Sequence, residues 1–147
     1  LGIEGGSNGG LLMGVMLTRH PELFGAIVAQ VPVLDMLRYH RLLAGASWMA
    51  EYGDPDDPTD RAHLEEYSPY HNLHSGRPYP PTLLVTSTRD DRVHPGHARK
   101  FAARMRELGY DVRYYENIEG GHGGAADNEQ RAFQWALVFE FCWRQVG

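Results

Sequence analysis

The chain has 147 residues, a mass of 16.6 kDa and a net charge of −5. With 42% hydrophobic and 22% charged residues it can build a core, which argues against disorder. The acidic balance argues against a nucleic-acid binder, which needs clustered Lys and Arg, and no apolar run approaches the ~20 residues of a membrane-spanning helix. One cysteine, Cys142, rules out a disulfide scaffold and leaves the compartment, cytoplasmic or periplasmic, open.

Leu1-Gly2-Ile3-Glu4 reads as the end of a strand, and Gly5-Gly6-Ser7-Asn8-Gly9-Gly10 as a tight turn. Leu12, Val15 and Met16 then repeat at helical spacing up to Arg19. His20-Pro21 predicts the stop, because the residue before proline disfavours helix. Residues 26–31 form a short apolar run, consistent with a buried parallel strand. A short helix is expected over residues 34–43. The acidic stretch from Glu51 to Glu66 predicts a solvated surface excursion. His71 and His74 lack an evident third ligand and are expected to be surface histidines, so no metal site is predicted.

Thr82 to Ser87 predicts a second buried strand. His97 to Leu108 is amphipathic, with Ala98, Phe101, Ala102, Met105 and Leu108 on one face and Gly109 at its stop. Val112 to Glu116 is a further strand. Asp127 and Gln130 form a capping-box pattern for a last helix to about Arg144. Strands alternating with helices predict an α/β fold, a mostly parallel sheet with helices on both faces. Chemistry in such sheets gathers at the carboxyl ends of strands.

Three complementary groups fall at those ends. Gly5-x-Ser7-x-Gly9 matches a nucleophile elbow, in which glycines let a serine project from a strand-to-helix turn. A hydroxyl needs a base, and His122 in a glycine loop is the best one available. The base needs a carboxylate, for which spacing alone does not choose between Asp90 and Asp91. The order Ser, Asp, His is that of the α/β-hydrolases. The N–H of Asn8, directly after the serine, is the expected oxyanion donor. This chemistry requires no cofactor.

The blocks Gly5 to Leu12, His20 to Phe24, Ala29 to Val31, Asp35 to His40, Tyr52-Gly53, Tyr67 to Asn72, Asp90 to Val93 and Gly121 to Gly123 together resemble the prolyl oligopeptidase family. The resemblance runs in order along almost the whole chain. It implies part of an α/β-hydrolase catalytic domain that cleaves short peptides after proline. It also implies Ser7 as nucleophile, Asp90 rather than Asp91 as triad acid, and His122 as base. Trp48 matches the tryptophan that stacks on the substrate proline, Tyr52, Val33 and Val93 the pocket lining, and Arg92 the arginine that binds a substrate carbonyl. The family's strands before the elbow, its second oxyanion donor and its propeller have no counterpart in these residues. The isolated chain is therefore expected to self-associate through an exposed sheet edge and to be weakly active or inactive. An esterase or acylaminoacyl peptidase of the same fold is the alternative activity.

Overall fold

Every residue of Ala26–Gln30 (β2) and of Thr82–Ser87 (β3) is buried. Strands that are apolar on both faces must be covered on both, and here they are the two inner strands of a sheet. The computed structural model describes residues 1–147. Its four strands, with Gly2–Gly6 (β1) and Val112–Asn117 (β4) outside, lie parallel in the order β1-β2-β3-β4. Alternate residues feed opposite faces. Ile27, Ala29 and Leu84 pack with Met13 and Leu17 of α1 (Asn8–Arg19) and with Phe101 and Met105 of α4 (Gly96–Glu107). Ala26, Val28, Leu83 and Val85 pack on the other face against Val138 and Phe141 of α5 (Asn128–Val146). The α/β class and the helices on both faces are as the sequence indicates.

The ends of the elements have local causes. His20 caps α1, its N–H bonding Met16 O at 2.9 Å, before Pro21 redirects the chain. Gly109, with φ of 82°, follows α4 in the left-handed region that favours glycine. Only half of the expected capping box forms. Asp127 accepts from Gln130 N at 2.8 Å, but the Gln130 side chain accepts from Ala126 N and from Asn117 instead.

Of the expectations for the excursion between β2 and β3, the solvated surface stretch holds and the helix over 34–43 needs correction. The acidic stretch contains a helix, α3 (Pro58–Tyr67), with Asp57 accepting from Thr59 N and Asp60 N and Pro58 in the first turn. It stays solvated, with Leu64 its one buried residue. The helix expected over 34–43 does not form; short 3-10 turns at Tyr39–Arg41 and Leu43–Trp48 and one α-turn, α2 (Met49–Tyr52), replace it. The amides of residues 34–37, which have no backbone acceptor, bond to side chains instead. His97 Nδ1 accepts from Leu34 N (3.2 Å) and Asp35 N (3.0 Å). Ser68 Oγ accepts from Met36 N, and Asp35 Oδ1 from Leu37 N. Beneath this loop lies a small core of its own, made of Leu11, Val33, Met36, Tyr39, Leu64 and Val93.

His97 is 2% exposed and uses Nδ1 as an acceptor, so the ring is neutral with its proton on Nε2. Burial pushes its pKa down to about 4; Lys100 and His94 act in the same direction and Asp35 opposes them. The ordinary value, 6.5, applies to the unfolded chain. Between the two values the unfolded chain binds a proton that the fold refuses. The stability contributed by neutral His97 is thus complete above pH 6.5 and is lost as pH falls toward 4. Urea titrations of wild type and His97→Asn are expected to show the wild type losing ground to the variant from pH 7 to pH 4.5 (roughly the window between these pKa values). A constant difference across that range would contradict this.

Candidate active site

Ser7 joins β1 to α1 with φ of 56° and ψ of −115°, a conformation that non-glycine residues adopt only when their surroundings enforce it. Its N–H bonds Gln30 O at 2.9 Å, and its carbonyl accepts from Leu11 N. The glycines around it are not equivalent. A Cβ on Gly5 would stand 2.6 Å from Gly9 O, and one on Gly10 would stand 2.8 Å from Pro32 Cα. One on Gly9 would meet nothing within 4 Å. Sterically the turn demands Gly5 and Gly10, so of the two motif glycines only Gly5 is required by close contact.

Asp90 follows β3 and is 4% exposed, whereas Asp91 faces solvent. One carboxylate oxygen of Asp90 accepts from Arg92 N and Val93 N, both at 2.9 Å. His122 Nδ1 lies 2.9 Å from Oδ2 and 3.1 Å from Oδ1. The carboxylate can only accept, so Nδ1 carries the proton and the Nε2 lone pair is left for chemistry. Between the two acids, geometry selects Asp90. The ring's bond is to Asp90 and none joins it to Ser7 Oγ. In unliganded sites such bonds are commonly long and tighten around a substrate.

Asn117 holds the His122 loop, and sequence reasoning missed it. It ends β4 and is 5% exposed. Its Oδ1 accepts from Glu119 N and Gly120 N, and its Nδ2 donates to Gly124 O and Gln130 Oε1. The available signal was an amide at the end of a strand just before a glycine loop, where backbone groups need side-chain partners.

Beside Ser7 opens a cavity of about 220 Å³ lined by Ser7, Asn8, Val33, Trp48, Glu51, Tyr52 and Arg92. It thus gathers the serine, the expected oxyanion residue and four of the five expected pocket residues, although they come from four separate stretches of chain. Val93 lies beneath it, buried in the small core. Tyr52 donates its hydroxyl to Asn8 Oδ1 at 2.5 Å, tying the pocket wall to the first residue of α1. The N–H of Asn8, at the first position of α1, has no acceptor one turn back, which suits it to bind a developing negative charge. Arg92 is exposed and makes no ion pair with Asp91, leaving its guanidinium at the cavity rim. His122 borders a second hollow of about 190 Å³, with Gly6, Gln30, Val31 and Trp135.

The pocket's aromatic wall depends on Tyr39, the second residue that sequence reasoning did not single out as functional. Its ring is fully buried, stacks on Trp48 (centroids 6.5 Å apart, planes at 11°) and meets Tyr52 edge-on at 5.4 Å. Its hydroxyl donates to Gly53 O at 2.5 Å. Burial, with Tyr67 and Asp54 nearby, pushes its pKa up to about 12. One potential cation position, where His40, Asp54 and Asp56 converge, is taken by the Arg41 guanidinium on Asp56.

Known proteins share this arrangement of elements. The model of the prolyl oligopeptidase family matches residues 1–147. An uncharacterized peptidase of Sinorhizobium fredii is 53% identical over 146 residues, covering 99% of this chain and 20% of its own. A prolyl endopeptidase of Elizabethkingia miricola is 37% identical, covering 100% and 21%. The solved post-proline cleaving enzyme of Rickettsia typhi superposes with a TM-score of 0.92 at 43% identity, over 97% of this chain and 21% of that one. The chain thus spans about a fifth of the length of the curated relatives it matches. Tyr39→Phe is expected to lower stability by about 1 kcal/mol in urea unfolding, the value of one hydrogen bond, and Tyr39→Ala by about 3–5 kcal/mol through the lost ring. Equal losses in the two variants would show that the ring does not carry the wall.

Proposed function

Because the chain belongs to the prolyl oligopeptidase family and has the fold of its α/β-hydrolase domain, we propose that it supplies the nucleophile, base and acid of a serine peptidase cleaving short peptides after proline. The observation that carries this reading is the cavity in which Ser7 and Asn8 share walls with Val33, Trp48, Tyr52 and Arg92. A proline ring is flat, apolar and lacks an N–H, so a cavity walled by an indole and a phenol suits it without a hydrogen-bond acceptor. Arg92 at the rim is suited to donate to a substrate carbonyl.

In the proposed mechanism Ser7 Oγ attacks the carbonyl carbon of the scissile bond while His122 Nε2 accepts its proton. Asp90, fixed by two backbone N–H groups, orients the ring and offsets the imidazolium charge. The Asn8 N–H stabilises the oxyanion. The tetrahedral adduct collapses as His122 returns the proton to the leaving amine, giving an acyl-serine. Water, deprotonated by the same nitrogen, then releases the acid. No cofactor enters these steps. An esterase or acylaminoacyl peptidase would use the same machinery and differ in pocket preference.

A second reading concerns the chain by itself. Phe133, Trp135, Phe139 and Trp143 are all exposed along α5, Trp143 at 74%, and β1 pairs with a strand on one side only. We propose that the isolated chain associates with a second copy through this edge and apolar face, as unpaired strands and exposed aromatic patches do.

A fluorophosphonate probe is expected to label Ser7 in the full-length protein. Ser7→Ala is expected to lower kcat by about 10⁶-fold and Asp90→Asn by about 10⁴-fold. A folded protein that stays unlabelled would refute the peptidase reading. Comparing kcat/KM on Pro and non-Pro peptides separates the post-proline enzyme from its alternatives. Light scattering of the isolated chain is expected to show oligomers, and a monodisperse monomer at high concentration would defeat the second reading.

A further inference from the structure

Two loops that border the cavity come from distant parts of the chain. One follows β2 and carries Val33; the other follows β3 and carries Arg92. The first has no helix or strand to hold it. Leu34 N, Asp35 N, Met36 N and Leu37 N all bond to side chains rather than to backbone. Two of these four donors converge on a single atom, His97 Nδ1. His97 lies in the first turn of α4, five residues beyond Arg92. One buried ring therefore ties the Val33 loop to the segment that presents Arg92.

We infer that His97 is a positioning residue for substrate binding: its Nδ1 lone pair fixes the Val33 loop, and with it the Trp48 and Tyr52 wall, against the Arg92 loop. The inference deepens the peptidase reading and rests on it. The coupling is physical at each link. Val33 directly precedes the two bonded amides. Met36, the next residue, is fully buried and packs in the same small core as Tyr39, on which Trp48 and Tyr52 rest. Asp35, pinned by His97 at its N–H, is 1% exposed and forms an ion pair with Lys100 of the same helix, so the loop is fastened to α4 at a second point. The groups facing the ring are Asp35 from the loop and Lys100 and His94 from the α4 region, while His71 lies 3.9 Å from the Asp35 carboxylate. The low pKa of the ring keeps Nδ1 an acceptor at neutral pH. An apolar replacement leaves two N–H groups without an acceptor, and a loop with unsatisfied buried amides moves to find partners.

The test is steady-state kinetics of the full-length protein on a proline-containing peptide, together with the rate of Ser7 labelling by a fluorophosphonate. His97→Leu is expected to raise KM by about tenfold or more, the loss associated with an unmade buried hydrogen bond, with kcat and labelling within about threefold. His97→Asn, whose Oδ1 stands about where Nδ1 stands, is expected to return KM to within about threefold of wild type. An unchanged KM in folded His97→Leu would overturn the inference. So would kcat, KM and labelling deteriorating together in both variants, the signature of a general structural role. Should His97→Leu not fold, His97→Asn decides: a KM near wild type with normal labelling supports the inference, and a raised KM overturns it. A folded wild type that neither labels nor cleaves removes the peptidase reading itself, which is distinguishable from labelling with an unchanged KM.

Discussion

A carboxylate with no exposed side-chain surface needs donors to replace the water it has lost. Asp90 is that carboxylate, and its donors determine the layout of the site. Two are the amides of Arg92 and Val93, which bend the chain after β3 into the loop bordering the cavity. The third is the His122 ring, delivered from the loop after β4. One anion thus shapes the pocket rim, anchors the small core through Val93 and sets the tautomer of the proposed base.

The sheet makes this convergence possible. In a parallel sheet all carboxyl ends lie at one edge, so Ser7, Asp90 and His122, which follow β1, β3 and β4, arrive there without further design. Between them β2 ends at the same edge and sends out the long excursion that supplies Trp48 and Tyr52. That excursion is largely irregular, and at residues 34–37 its amides have no backbone acceptor. Its amides depend on His97, Ser68 and Asp35, and its aromatic wall depends on the buried ring of Tyr39. The cavity walls are therefore supported by polar side chains beneath them as well as by the residues that line them.

Close approach of backbone to backbone is the second recurring device. Gly5 permits the chain to double back at Ser7, Gly10 lets α1 settle on Pro32, and Gly120 lets the His122 loop close on Gly124. Each lies at a crossing where a Cβ would overlap backbone atoms, and backbone cannot rotate away as a side chain can. The strained φ of Ser7 is maintained by these crossings and by the bond from its N–H to Gln30 O.

Much of this was legible before any coordinates. Apolar runs identified β2 and β3, the 3.6-residue period identified α4, and the glycine pattern identified the turn at Ser7, because each depends on neighbours a few residues away. Local chemistry also carried enough information to call for a base and an acid after later strands. What required the tertiary structure depends on partners far along the chain. Spacing leaves Asp90 and Asp91 equivalent and the family resemblance favours Asp90; the physical reason, burial against His122, 32 residues away, belongs to the fold. Residues 34–43 have a helix-compatible pattern, yet they form turns whose start is held by His97, more than 60 residues on, through the amides of Leu34 and Asp35. Tyr39 and Asn117 acquire their importance from what packs on them. The sequence by itself determined the elements and the kinds of group at their ends; the fold decided which groups meet, because burial and hydrogen-bond satisfaction are properties of the assembled chain.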